Sequence, residues 1–493
     1  MPSARPRSRL RFFDSNAGFT LVEVLVSALI VGLVASAAAT AFVGSTDGAS
    51  NLRLRTAAQA LAQQDESRLR GFNVNELSNL SQTLPAVSLD GALFTVKDSA
   101  DYVSDASGTP SCTNPSADYL RTTSTVTWTN MGGQTPVTVS SVLTPTVGSL
   151  DPTHGTLAVS VTNAAGTGVS GLNVNISGPS SASATTAAGG CALFGDLSTG
   201  TYGVGVAPAV GTYVDEKTGQ AVTPTAPDTA SPSPTVIAGT TAASPTPFEL
   251  DAAGAITFSF ADAFPIGVNP SPAPTATAPA VVVFNTGMTT PSFRLCAGAD
   301  STCPAVANAD TTFPAADWSG TGGQVVATPL FPFTSPYSAY AGVCTSDEPS
   351  LFGATDSSAL VTAGGSTPAS ITLPAMVVRL DKGTSASPGA EEALPAGAHL
   401  VVTDTGCGVQ YIGYTTAPPT LAANQAALPL VSAVGTGAND TGLLTYPGMP
   451  YGQYTVCYDK AGKTYQDPAT VTNEGNGEIV TLYAKSATTG AAC

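Results

Sequence analysis

Residues 19–43 form a run of 25 mostly apolar residues that carries a single charge, Glu23. At about 1.5 Å of rise per residue, a helix of that length crosses a hydrocarbon layer of about 30 Å. A carboxylate at the centre of such a helix costs roughly 2.5–3.5 kcal/mol, and less near an end, so Glu23 asks for a reason. The preceding segment, residues 1–18, holds Arg5, Arg7, Arg9 and Arg11 against one acid, Asp14. That basic flank stays cytoplasmic. An ordinary secretory signal is cut after its apolar core, at small residues. Here Gly18 and the polar stretch Asp14-Ser15-Asn16 come before the core. A cut at that point leaves the apolar helix on the mature chain. Gly32, Ala35, Ser36 and Ala37-Ala38-Ala39 give the helix small residues suited to close helix–helix packing.

The stretch Gly18-Phe19-Thr20-Leu21-Val22-Glu23, behind its basic leader, resembles the N-terminus of type IV prepilins. The resemblance implies that a prepilin peptidase cuts after Gly18. It also implies that Phe19 becomes the N-methylated first residue and that Glu23 is the fifth mature residue. Before assembly the subunit would wait as a single-pass protein of the cytoplasmic membrane. After assembly the same helix would lie in the core of an extracellular filament, among other pilins. Glu23 could then pair with the N-terminal amine of a neighbouring subunit, an ion pair in place of lost solvation.

Composition supports export. The chain has 493 residues, so several domains are expected. Its net charge is −17; the leader contributes +3 (four Arg, one Asp), which leaves about −20 on the mature chain. A surface that acidic repels phosphates, and no basic patch with aromatics is visible, so nucleic acid is not an expected partner. Eight cysteines suit an oxidising compartment, and none shows Cys-x2-Cys zinc spacing. His154 and His399 are far apart in turn-like or strand-like contexts and read as exposed or strand-edge residues. Glu391-Glu392 and Asp347-Glu348 read as solvated acidic pairs. No Ser/His/Asp order, phosphate loop or metal cluster stands out. The expectation is therefore no enzyme, no cofactor and no metal.

The fold class expected is α+β: a long N-terminal helix on a small antiparallel sheet, followed by tandem all-β sandwiches. The helix is predicted over 19–71, with 19–43 as its membrane or filament-core part. Leu54, Ala58 and Leu61 share one face, and Arg53, Arg55, Gln63, Gln64, Asp65 and Arg68 supply a polar one. Gly44 and Gly48 mark a place where the helix could soften, and Gly71 is a C-cap candidate. A β head is predicted over 72–149, with strands Ala92–Lys97, Tyr119–Thr129 and Pro136–Leu143 and a turn at Asn130–Gln134. This arrangement resembles the sheet of minor pilins.

Beyond the head, one motif recurs. Gly190-x3-Phe194-x2-Leu197-x2-Gly200-x-Tyr202-x-Val204 and Gly442-x3-Tyr446-x2-Met449-x2-Gly452-x-Tyr454-x-Val456 share identical spacing. Pro336-Tyr-Ser-Ala-Tyr340 is a weaker echo of Pro450-Tyr-Gly-Gln-Tyr454. The motif resembles carboxypeptidase-regulatory-like, or transthyretin-like, β-sandwiches, in which the tyrosine anchors the next strand in the core. Three sandwiches are expected, at 150–264, 280–375 and 376–493, with a Pro-rich linker at 265–279. A repeat-consistent pairing joins Cys303 to Cys344 and Cys407 to Cys457, while Cys112, Cys191, Cys296 and Cys493 stay open.

The sequence thus points to a minor type IV pilin that displays its sandwiches at or near a filament tip, for adhesion to a surface or glycan or as a spacer. A type II secretion pseudopilin is the alternative, and a membrane-anchored surface enzyme a more distant one. Size favours the first, because a bulky extension does not repeat along a thin fibre whose subunits pack side by side.

Overall fold

The computed structural model describes residues 20–144 and 152–263, apart from 79, 90, 114, 116, 230–232 and 244–246. Beyond these it describes 269–270, 277–278, 281–285, 293–296, 305–306, 320–321, 324–374, 376–392, 400–414, 420–422, 425–434, 443–445, 449–460, 463–466, 471–473, 478–483 and 488–489. The expected linker at 265–279 lies largely outside this set. The chain divides into two compact units, residues 1–100 with 121–143, and residues 101–120 with 144–493.

In the first unit a single helix, α1, runs from Leu21 to Leu69. It passes through Gly44 and Gly48 without interruption, so the expected softening is not seen: neither glycine is followed by a second helix breaker, and a lone glycine costs only about 1 kcal/mol. Arg70 caps the helix, and the Gly71 amide donates to the Arg68 carbonyl at 3.0 Å. The connection that follows includes a short helix, Val74–Leu77, and a strand, Ser81–Thr83. The sheet runs in the order Ser81–Thr83, Ala92–Val103, Tyr119–Trp128, Val137–Leu143, with Val87–Leu89 also on Ala92–Val103. Tyr119–Trp128 alternates buried and half-buried positions throughout, the period-two signature of a strand with one face on a core. Phe94, Val96, Val126, Trp128 and Val137 cover Ala58 and Ala62 of the helix. Asn130 and Gly132, at φ 61° and 59°, make the tight turn between the last two strands.

The second unit is all β among its described residues. Its first core is enclosed by Gly203–Pro208, Leu172–Ser177 and Ser181–Thr185 on one side. A larger sheet built on Gly155–Thr162, Cys191–Leu197 and Phe248–Ala252 closes the other. The excursion 101–120 docks here: the Tyr102 ring lies where a Cβ on Gly195 would fall, within 2.7 Å, and Cys112 is disulfide-bonded to Cys191.

The segment boundary differs from the sequence expectation. Strand Gly254–Ala263 pairs with Gln324–Leu330 and Ser366–Pro374 and gives Ile256 and Phe258 to the second core, not the first. Alternation marks a strand but not its partner, so the break was read a strand too late. The second core is closed by the sheet that holds Val281–Phe284 and Tyr337–Ala341. This sheet has two apolar faces. Val281, Val283, Tyr337 and Ala339 point to the second core, while Val282 and Tyr340 belong to the third. The third core is completed by Met376–Asp381, Leu400–Asp404, Gln410–Tyr414 and Gly452–Lys460. The second and third sandwiches therefore share a layer.

One topological element repeats. In each sandwich the first strand pairs in parallel with a strand at or near the end: Gly155–Thr162 with Phe248–Ala252, Gly254–Ala263 with Ser366–Pro374, and Met376–Asp381 with Glu478–Tyr483.

Candidate assembly site

Thr20 caps α1: its Oγ1 accepts from the Glu23 amide at 3.3 Å. Glu23 sits in the first turn, where a negative charge complements the helix dipole. Ser27, Ser36 and Thr40 return their hydroxyls to helix carbonyls, Ser27 to Glu23 at 2.6 Å and Ser36 to Leu33 at 2.8 Å. Every polar side chain in the apolar stretch except Glu23 is thus satisfied within the helix, as a lipid or protein interior demands. Leu21–Thr40 is long and apolar enough to cross a membrane, with a mean hydropathy of 2.4, and none of it is buried by the rest of the chain. Leu21, Leu25, Leu29 and Leu33, on successive turns, are each more than 60% exposed, and the adjacent row Val22, Val26, Ile30 and Val34 is exposed as well. Gly32 faces open space. Gly18 and Phe19 lie outside the described residues. Glu23 is exposed, and its carboxylate has no hydrogen-bond or ion-pair partner among the described residues.

The lower half of α1 is held by charges, among them Asp65 and Arg68 of the expected polar face. Asp65 and Glu66 are 6% and 3% exposed. Arg68 bridges two acids, with Nε donating to Asp65 Oδ1 at 2.9 Å and Nη2 to Asp98 Oδ2. Gln82 Nε2 also donates to Asp98 Oδ2, at 3.0 Å, and the Arg68 guanidinium stacks over Phe72. Two buried carboxylates share one guanidinium, so one of them must hold its proton more tightly. Burial, and next the neighbouring Asp65, push the Asp98 carboxyl up to about 6. Burial raises Asp65 too, but hydrogen bonds from Asp98, Ser124 and Arg68 outweigh it and hold that carboxyl below its ordinary value. Glu66 accepts from the hydroxyls of Thr122 and Ser141. A polar latch thus fixes the helix on its sheet. A spacing of i, i+3 between Asp65 and Arg68 was visible in the sequence; the sheet partners were not.

The repeat motif has a physical basis. Tyr202 Oη donates to the Ser198 carbonyl at 2.8 Å and Tyr454 Oη to the Pro450 carbonyl at 3.0 Å, each four residues back. Gly200 and Gly452 precede them at φ 143° and 155°. Each ring is fully buried, and a Cβ on Gly452 would press the Tyr454 ring at 3.2 Å. In the middle copy the core tyrosine is Tyr337, whose Oη donates to the Phe331 carbonyl at 2.7 Å. Tyr340, expected in that role, instead enters the third core and donates to the Cys344 carbonyl at 3.2 Å. Ser335-Pro336-Tyr337 is therefore the counterpart of Gly452-Gln453-Tyr454, three residues earlier than the echo suggested.

The cysteine pairing changes as well. Cys344 is bonded to Cys407, with 5.8 Å between their Cα atoms. This excludes both Cys303–Cys344 and Cys407–Cys457. The expected pairs assumed sandwiches that close their bonds internally. Because the second and third share a layer, the bond runs between them. Cys303 lies outside the described residues, and Cys457 is also disulfide-bonded. Asp347, read as solvated, is fully buried beside this bond. Its Oδ2 accepts from the Val343 amide at 2.8 Å, and Asp404 accepts from the Gly406 and Cys407 amides at 2.8 and 3.0 Å. Burial, then repulsion from Asp404, push the Asp347 carboxyl well above the usual range. Cys344, Asp347 and Cys407 gather within 4.8 Å, but their two sulfurs are consumed by the disulfide, which leaves one carboxylate where a metal needs several donors. His154 Nδ1 donates to Asp196 Oδ1 at 2.8 Å, and His399 lies outside the described residues. Glu391 lies 3.8 Å from Arg379.

Residues 14–39 match the prokaryotic N-terminal methylation motif. No curated protein matches the chain significantly. Among solved structures, the chain is similar to the TIE protein of Bacillus anthracis, at 12% identity over 82% of this chain and 74% of that one, with a TM-score of 0.20. It is also similar to GBS52, the minor pilin of Streptococcus agalactiae, at 12% identity, over 44% of this chain and 94% of that one, TM-score 0.20. A third is BcpA, the major pilin subunit of Bacillus cereus, at 13% identity, over 67% and 98%, TM-score 0.17. At TM-scores this low, superposition fixes neither domain type nor function. The N-terminus is type IV prepilin-like: a methylation motif on an exposed apolar helix that leads into a chain rich in β structure.

Proposed function

We propose that this chain is a minor type IV pilin, a structural subunit at or near the filament tip that displays β-sandwich modules for adhesion or spacing. The observation that carries the reading is the coincidence of the methylation motif at 14–39 with an apolar helix, Leu21–Thr40, that the rest of the chain leaves uncovered. Such a helix needs lipid before assembly and other pilin helices after it. In this reading prepilin peptidase cuts after Gly18, Phe19 is methylated, and Glu23, whose carboxylate has no partner among the described residues, receives the amine of a neighbour. The tandem tyrosine-anchored sandwiches, which resemble carboxypeptidase-regulatory-like modules in motif, serve as a non-catalytic display array. Their bulk suits a rare position and not a repeating one. The test is immunogold labelling of sheared filaments with an antibody to residues 154–493. Sparse label at or near filament ends is expected. Dense label along the shaft would overturn the tip position. Label confined to the envelope, with secretion lost on deletion, would overturn the pilus reading in favour of a pseudopilin.

A further inference from the structure

A cavity of about 440 Å³ opens where the shared layer of the second sandwich meets the third. Its floor is set by local chain geometry. The turn Pro349–Phe352 ends at Gly353, whose φ of 74° reverses the chain and brings Thr355, Asp356 and Ser357 to the rim. From the third sandwich Tyr451 closes the opposite side. Its ring is stacked on Phe352, 6.1 Å between centroids and 25° from parallel, so the phenol is held as a fixed plate. Ser370 and Thr372, two residues apart on strand Ser366–Pro374 and hence on one face, line the remaining wall.

Two features define what this cavity can hold. First, Asp356 lines the cavity, and its buried Oδ1 accepts no hydrogen bond from any described residue. An acceptor in that position costs free energy until a donor reaches it. Burial, then the nearby Glu348 charge, push this carboxyl above its ordinary value, in keeping with unmet acceptor capacity. Second, none of the described residues that line the cavity is basic. Anionic ligands, such as phosphates or sialic acids, meet only negative charge there. What remains is a ligand that donates hydroxyls and presents an apolar face to an aromatic plate. An organic cation would also suit a carboxylate beside a ring, but a cation cage needs several open aromatic faces. Here Tyr451 is half-buried, Tyr340 is buried with its hydroxyl committed, and the polar lining besides Asp356 consists of the hydroxyls of Thr355, Ser357, Ser370 and Thr372 among small and aliphatic residues.

We propose that this cavity binds a neutral sugar, with one pyranose face stacked on Tyr451 and ring hydroxyls donated to Asp356 and exchanged with Thr355, Ser357, Ser370 and Thr372. The volume lies in the range of pockets that enclose one small ligand, here one or two sugar rings. The site rests on the reading of the chain as a displayed surface subunit and names its ligand class. It also gives the shared layer a role, because the plate and the acceptor come from different sandwiches and neither alone completes the site.

The experiment uses the full chain in detergent micelles, on an array of neutral and sialylated glycans and then in saturation-transfer NMR with galactose, mannose and N-acetylglucosamine. Binding to at least one neutral glycan is expected. Tyr451→Ala and Asp356→Asn should each weaken it at least tenfold; the second keeps the side-chain shape and guards against a folding defect in the first. Tetramethylammonium should not compete. Sugar binding unchanged in both variants, no neutral glycan bound by correctly disulfide-bonded protein, or displacement by tetramethylammonium would each overturn the proposal. Filament labelling is scored separately: labelled tips with no sugar binding defeat the sugar site alone, and sugar binding without filament incorporation defeats the pilin reading alone.

Discussion

The Cys344–Cys407 bond offers a demanding test, because it joins two sandwiches and not two strands of one. The perturbation is the double variant Cys344→Ala/Cys407→Ala. The bond closes a loop with a sequence separation of 63 residues. For a loop of that length the chain-entropy relation gives about 4 kcal/mol of stabilisation through the unfolded state. Both positions are buried, so alanine leaves small voids, and it spares Asp347 a new hydroxyl neighbour. At about 2–4 °C per kcal/mol for a domain of this size, the melting temperature of the second unit should fall by roughly 8–16 °C. The layer shared by the second and third cores predicts one further detail: the variant should still melt in a single step, since Val282 and Tyr340 tie the two without the bond. The assay is thermal unfolding by circular dichroism of the full chain in detergent, beside a non-reducing peptide map. A map that shows Cys303 linked to Cys344 would refute the pairing. A loss under 2 °C, or two separated transitions, would refute the coupling.

Four other outcomes follow from the sequence motif and the structure. Gly18→Ala should leave the Arg-rich leader attached, seen as an intact mass that still starts at Met1; normal cleavage would remove the prepilin assignment. Glu23→Ala should be processed normally yet drop severalfold in sheared filaments relative to its membrane level, because the neighbour's buried amine loses its counter-charge; equal recovery would end the pairing role. Tyr454→Phe removes the donor to the Pro450 carbonyl inside a closed core and should cost about 1–3 kcal/mol in denaturant melts, whereas a change below 0.5 kcal/mol would show the anchor to be packing alone. Asp98 has a folded pKa of about 6 against roughly 3.9 unfolded, so between those values the folded state holds more protons, and its stabilising contribution falls as pH rises and is gone above about 6. Asp98→Asn should remove that component from the melting temperature between pH 4 and 7, read by Trp128 fluorescence in a Trp318→Phe background; superimposable slopes would contradict it.

The sequence reading succeeded where a pattern is local. The run Phe19–Val43 with Glu23 specified the helix, whose stretch Leu21–Thr40 the rest of the chain leaves uncovered. The identical spacing around Tyr202 and Tyr454 found the two core anchors, because each bonds a carbonyl four residues back in its own chain. Failures came where the partner is distant. Asp65 and Arg68 looked solvated because nothing near them in sequence reveals Asp98 and Gln82 across the sheet. Tyr340 passed for the anchor of the middle copy because a strand with two buried faces shows aromatic residues on both. The cysteine pairs, Asp356 and Tyr451 depend on which sandwich lies against which, and period-two alternation is silent about that.

The parallel pairing of each first strand with one at or near the end decides how the array carries a mechanical load. Two strands that run side by side in the same direction place the entering end of a module at one extreme and the leaving end at the other. Tension along the chain therefore slides the two strands past one another, and every hydrogen bond between them must yield together. Antiparallel terminal strands would peel apart one bond at a time. Gly254–Ala263 and Ser366–Pro374 are in register over nine residue pairs, Met376–Asp381 and Glu478–Tyr483 over six, and Gly155–Thr162 and Phe248–Ala252 over two. Under tension along the chain the first sandwich, with two such pairs, would yield before the second and third, with nine and six.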